Sequence, residues 1–183
     1  MTLLITIIVL ALVFDYINGF HDAANSIATI VSTKVLTPFK AVLWAAFFNF
    51  VAFFIAKYVI GEFGIANTVS KAVIEQYITL PVIFSGIVAA IIWNLATWWL
   101  GIPSSSSHTL IGGFAGAAIM STIIASGYTT SGFESIKAEV IIKIASFIVL
   151  APLIGMMVSS LLTILILYIF KKVNPHKANQ WFK

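Results

Sequence analysis

The chain has no arginine and no cysteine, and only 9% of its 183 residues are charged. Without cysteine there are no disulfides and no thiolate metal sites. Without arginine there is no planar guanidinium fork to grip phosphate or carboxylate bidentately. Any anion must be held by backbone N–H groups, hydroxyls, amides, lysine or a co-bound cation. The shortage of charge excludes more. A soluble domain carries roughly 25% charged residues, whereas this chain is 61% hydrophobic with a mean hydropathy of +1.08. It cannot cover a water-facing surface, and it is predicted to be an all-α polytopic membrane protein lying in the lipid bilayer. No basic patch interleaved with aromatics occurs, so no nucleic-acid partner is expected. The net charge of +4 carries topological information instead.

A spanning helix needs about 20 apolar residues. Met1 to Phe14 resembles the core of a signal peptide, but it lacks a basic n-region and a small-x-small cleavage site. It reads as the start of a retained first span. Residues 2–33 are too long for one straight crossing and read as a broken helix, unwound near Gly19 to Asp22. Residues 40–60 form a second span, aromatic-rich, with Asn49 inside it. Residues 61–78 suggest a short interfacial helix. Pro81 to Leu100 is a third span, containing Asn94 and ending in Trp98-Trp99 at the interface belt. A fourth runs from His108 to about Ser126, and a fifth over residues 135–171, kinked at Pro152 and Gly155. The expectation is about five crossings with broken helices. Residues 1–172 form the membrane domain, and 173–183 a cytoplasmic tail or linker.

Two polar clusters interrupt the apolar segments. The first is Gly19-Phe20-His21-Asp22-Ala23-Ala24-Asn25-Ser26, and the second Gly101-Ile102-Pro103-Ser104-Ser105-Ser106-Ser107-His108. A helix that starts at membrane depth presents free N–H groups and a positive dipole end, which suits an anion. A carboxylate at the bilayer centre costs about 2.5–3.5 kcal/mol even on the mildest scale, so Asp22 needs a reason. It is either a cation or proton site, or an N-cap of a second half-helix, or both. Asn25, three residues on, is either a ligand or an interhelical hydrogen-bonding group. The serines are either anion donors or ordinary caps and packing, with Ser104 the expected cap. Gly112-x-x-x-Gly116, and Ala23, Ala24 and Ala28, mark two small-faced helices expected to pack together. That packing would bring Asp22 and Asn25 beside Ser105, Ser106 and Ser107. Ser104 and His108 are four residues apart, so a hydrolase with Asp22 as orienter is an enzymatic alternative.

Orientation follows from lysine. With spans alternating, one side collects Lys34, Lys40, Lys171, Lys172, Lys177 and Lys183 without an acidic residue. The other collects Lys57, Lys71, Lys137 and Lys143, balanced by Glu62, Glu75, Glu134 and Glu139. The first side is therefore expected to be cytoplasmic, with the N-terminus outside and the C-terminus inside. An odd number of crossings would invert an appended second copy, a common transporter plan.

The run Asp15-Tyr16-Ile17-Asn18-Gly19-Phe20-His21-Asp22-Ala23-Ala24-Asn25-Ser26-Ile27-Ala28-Thr29 closely resembles the first signature of PiT-type inorganic phosphate transporters. The run from Trp98 to Gly112 resembles the companion signature. His21 before Asp22 is similar to the bacterial low-affinity Pit branch. The resemblance implies one half of an inverted-repeat transporter, since family members are about twice as long, with a second inverted half bearing its own signatures. It implies symport of phosphate, partly as a neutral divalent metal–phosphate complex, across the cytoplasmic membrane, coupled to protons or sodium. No cofactor and no catalytic residue are implied. The implied partners are phosphate and either a second copy, as a dimer, or the second half. On this reading Asn25, Ser105, Ser106 and Ser107 contact substrate, with Ser104 beside them. Asp22, Asn25 and Asn94 serve the coupling ion, and His21 and His108 carry protons or touch metal–phosphate. A non-transporting assembly subunit and a transporter of another oxyanion, such as sulfate or arsenate, are the alternatives.

Overall fold

A computed structural model of the chain describes residues 1–61 and 71–171. Among these, five helices are long and apolar enough to cross a membrane. They are α1 (Thr2–Ser32), α2 (Pro38–Ile55), α3 (Leu80–Trp99), α4 (Ser106–Ala125) and α5 (Ala138–Phe170). A π-helical turn, Ala56–Ile60, extends α2. Residues 62–70, half of the interfacial helix expected over 61–78, and the tail 173–183 lie outside the described residues.

Local chemistry sets the helix ends. Pro38 and Pro81 lie in the first turns of α2 and α3, where a missing N–H breaks no intrahelical bond. α3 ends where Gly101 adopts φ +65. The Gly101 N–H then donates to the Trp98 carbonyl at 3.1 Å, and the Ile102 N–H to that of Thr97 at 2.9 Å. That pair of bonds is a Schellman cap. Gly127 and Tyr128 close α4 in the same way, on the Ile124 and Ile123 carbonyls at 3.1 and 2.9 Å.

The first expected break is absent. α1 is one continuous helix through Gly19 and Asp22. A lone mid-helix glycine costs only about 1 kcal/mol. Unwinding without partners in lipid leaves several backbone groups unsatisfied, each at several kcal/mol. No proline helps the break, and Ala23 and Ala24 favour helix. α5 is a single helical element through Pro152 and Gly155, the expected kink positions.

The chain divides into two units, Met1–Val140 and Ile141–Lys183. Over its described residues the second is the remainder of α5 and Lys171. In the first, α3 packs against both α4 and α1, and α1 against α2. The α3–α4 contact is made by glycine. A Cβ on Gly113 would lie 2.6 Å from the Gly86 carbonyl oxygen, and one on Gly86 would lie 2.9 Å from Phe114 Cα. Gly112 and Gly116, the expected packing pair, face open space. Ala24 and Ala28 are exposed as well. The close approach is thus α4 on α3, not α4 on the small face of α1.

One end of this unit is closed by loops. Val73 bridges antiparallel to Ile136. The Ile74 N–H donates to the Ser135 carbonyl, and the Lys137 N–H to the Ala72 carbonyl, each at 2.9 Å. Val73 joins Val82, Phe114 and Ala118 in a buried apolar cluster. The segments following α2 and α4 therefore meet at the same end, as alternating spans require.

Candidate functional site

Asn18 and Asp22 are four residues apart, so they stack on one face of α1. Ser106, the first residue of α4, reaches both. Its Oγ lies 2.7 Å from Asp22 Oδ2 and 2.5 Å from Asn18 Oδ1. The residue is only 2% exposed. On the other side of the carboxylate, His21 Nδ1 stands 3.5 Å from Asp22 Oδ1. His21 is buried, whereas the Asp22 side chain is 45% exposed. The Phe20 and Trp98 rings meet edge-on nearby, at 5.4 Å between centroids, and tie α1 to the end of α3.

The two signature clusters thus meet, but through fewer residues than the sequence suggests. Ser104 and Ser105 precede the helix, and Ser106 and Ser107 at its start are rotated by about 100° from each other, so the four serines do not face one way. Ser106 turns to α1. Ser104 and Ser105 line a cavity of about 410 Å³ with His108, Thr109, Ala89, Trp93, Gly112 and Gly113. Ser104 Oγ is 3.4 Å from Thr109 Oγ1, whose hydroxyl donates to the Ser105 carbonyl at 2.9 Å. Ser105, not Ser104, takes the N-cap position, and its side chain makes no capping bond. Ser107 is half-buried and outside that lining. The N–H groups of Ser106, Ser107 and His108 precede the first intrahelical bond of α4, from Thr109 N to the Ser105 carbonyl at 2.9 Å. They are free donors at a positive dipole end.

The other expected residues are dispersed. Asn25 is exposed and lies one turn beyond Asp22 on α1. His108 is exposed toward the cavity. Asn94 is fully buried on the line Val82, Gly86, Ala90, Asn94 and Thr97 along α3. Neither Asn94 Oδ1 nor Nδ2 has a hydrogen-bond partner among the described residues. An unsatisfied buried polar group costs about 1–3 kcal/mol, and Asn94 is fully buried and outside the cavity lining. The enzymatic arrangement fails in one respect. Asp22 engages Ser106 and His21, while Ser104 and His108 line the cavity. Asn18 was not expected as a site residue. The signal was present, since it precedes Asp22 by one helical turn inside the same polar run.

An interhelical hydrogen bond in a membrane averages about 0.6 kcal/mol and reaches about 1.7. The carboxylate costs about 2.5–3.5 kcal/mol at depth.

Fold and site together define a polytopic α-helical membrane protein in which a carboxylate, an amide and a helix-opening hydroxyl meet between apolar spans. Residues 18–183 match the phosphate transporter family. The chain belongs to that family, one of transporters and not of enzymes. It is 45% identical over 184 residues to a probable low-affinity inorganic phosphate transporter of Rhizobium meliloti, covering 99% of this chain and 50% of that protein. A Bacillus subtilis protein of the same description is 42% identical, with 99% of this chain and 51% of that protein covered. The low-affinity inorganic phosphate transporter PitB of Escherichia coli is 33% identical over 86% of this chain and 31% of its own length. The chain spans about half the length of the first two relatives. No solved structure matches it.

Proposed function

We propose that this chain supplies one wall of a phosphate symport path in the cytoplasmic membrane, with a second, inverted half supplying the other. The observation that carries the reading is the Ser106 hydroxyl, bonded to Asp22 at a helix start beside which Ser104, Ser105 and His108 line a cavity. A cation, proton or sodium, is taken at Asp22. Phosphate is held without arginine by the free N–H groups of α4 and by Ser105 and its neighbours. A bare phosphate or a bare Asp22 is costly at membrane depth, and each offsets the other. That mutual dependence is the coupling, and rocking one bundle against another moves the loaded site across the membrane. Asn25 and His108, polar and exposed on α1 and α4, meet the substrate from this wall. Asn94 serves the coupling cation. The α1–α2 turn, with Lys34 and Lys40, faces the cytoplasm on this reading, and the lysine bias supports it.

The test is uptake of radiolabelled phosphate into proteoliposomes that hold this chain and the second half of the Bacillus subtilis relative. Proton and sodium gradients are imposed separately, with sulfate, arsenate and magnesium as competitors or supplements. Gradient-driven uptake that sulfate does not displace is expected. Equal displacement by sulfate would make the substrate oxyanions at large, and gradient-independent uptake would remove symport.

A further inference from the structure

We infer that Asn18 is a positioning residue for the Asp22 carboxylate, acting through the hydroxyl of Ser106; the inference rests on Asp22 being the cation site. The geometry is a clasp. One buried hydroxyl from α4 stands between two side chains stacked on α1, at 2.5 and 2.7 Å. A serine hydroxyl has one hydrogen to donate and two lone pairs to accept with, and a bare carboxylate only accepts. When Ser106 donates to Asp22, its lone pairs face Asn18, which must then answer as a donor. The Asn18 amide does so by turning end for end, which presents its nitrogen in place of its carbonyl. When a cation engages Asp22, Ser106 gives its hydrogen to the Asn18 carbonyl instead. An amide serves both arrangements, an aspartate lacks the donor, and a leucine serves neither.

The consequence is positional. Asn18 keeps the Ser106 hydroxyl in place while the Asp22 bond is remade, so α4 stays registered on α1 through the cycle. α3, packed against both helices, carries no titratable side chain; among the described residues, the titratable groups on α1 beside the clasp are Asp15, one turn before Asn18, and His21, against Asp22, while α4 carries His108.

The test is a double-mutant cycle of Asn18→Leu and Ser106→Ala. It is read as the cation concentration at half-maximal phosphate uptake in the two-half proteoliposomes. Asn18→Leu alone is expected to raise that concentration roughly three- to twentyfold, the range of a membrane interhelical hydrogen bond. It should add nothing in the Ser106→Ala background. Full additivity would mean that Asn18 only packs, and would overturn the inference. A second readout needs no transport: the side-chain amide signals of 15N-asparagine-labelled chain in micelles, with Asn18 assigned by its own substitution. Ser106→Ala should move the Asn18 amide signals, and Ser106→Thr, which keeps the hydroxyl, should leave them in place. Unmoved signals in Ser106→Ala would refute the contact. If the signals move while Asp22→Asn leaves coupled uptake unchanged, the contact stands but its link to the cation site falls, and the proposed function falls with it.

Discussion

The two signature clusters look alike in sequence and behave differently in structure. The first carries a glycine and a carboxylate yet sits on an unbroken helix. The second carries a glycine and a proline and is a true helix boundary, with Gly101 at φ +65 and α4 starting afresh at Ser106. The difference sorts their chemistry. An intact helix has no free N–H groups to offer, so α1 contributes side chains: the Asn18 amide, the Asp22 carboxylate and the His21 imidazole. A helix start offers backbone N–H groups and a positive dipole. On the proposed function the first cluster serves a cation and the second an anion, and Ser106 is the contact that joins them.

The largest expected effect tests the cation side. Asp22→Asn keeps the shape and the bond to Ser106 but removes the charge, and should abolish gradient-driven phosphate uptake in the two-half proteoliposomes. Uptake at wild-type rates would move the cation site elsewhere.

Next comes the packing that holds the two clusters together. Gly113→Ala places a Cβ against the Gly86 carbonyl at 2.6 Å, a backbone atom that cannot swing aside. It should cost about 1–3 kcal/mol, as overpacking does. Gly116→Ala, with nothing within 4 Å, should be neutral or stabilising by up to about 1 kcal/mol. Thermal unfolding in detergent compares them, and equal effects would contradict the α3–α4 contact.

The smallest effects separate intact helix from boundary most cleanly. Gly19→Ala lies mid-helix with open space around its Cβ and should stabilise by roughly 0.5–1 kcal/mol. Gly101→Ala forces an L-residue into the left-handed region and should destabilise by roughly 1–2 kcal/mol. A destabilising Gly19→Ala would restore a break in α1.

Much of the fold was legible because lipid leaves few choices. Five long apolar runs became five helices, the third span began within one residue of the expected Pro81, the second began at Pro38 rather than residue 40, and the second cluster opened α4 within two residues of the expected place. The break at Gly19 was misread because polarity was taken for punctuation. Gly101 with Pro103 punctuates, while Gly19 among helix formers does not. The choice among Ser104 to Ser107 was illegible without a partner helix, since periodicity gives each serine a direction but not what lies there. Gly112-x-x-x-Gly116 failed for the same reason. A small-residue stripe states that close packing is possible, and only Gly86, 27 residues earlier, decides that Gly113 is the contact. The pairing of Val73 with Ile136 joins two loops distant in sequence and left no local signal. The roles of Asn25, Asn94 and His108 rest on the proposed function, with their exposure or orphaned burial as the physical support.

The most direct measurement is radiolabelled phosphate uptake by proteoliposomes containing this chain alone, set beside the same chain with a second half, under one imposed cation gradient. Folded, correctly oriented chain alone should give no uptake, and the pair should give gradient-driven uptake. Uptake by the chain alone at the rate of the pair would contradict the account, because one wall would then be a complete site.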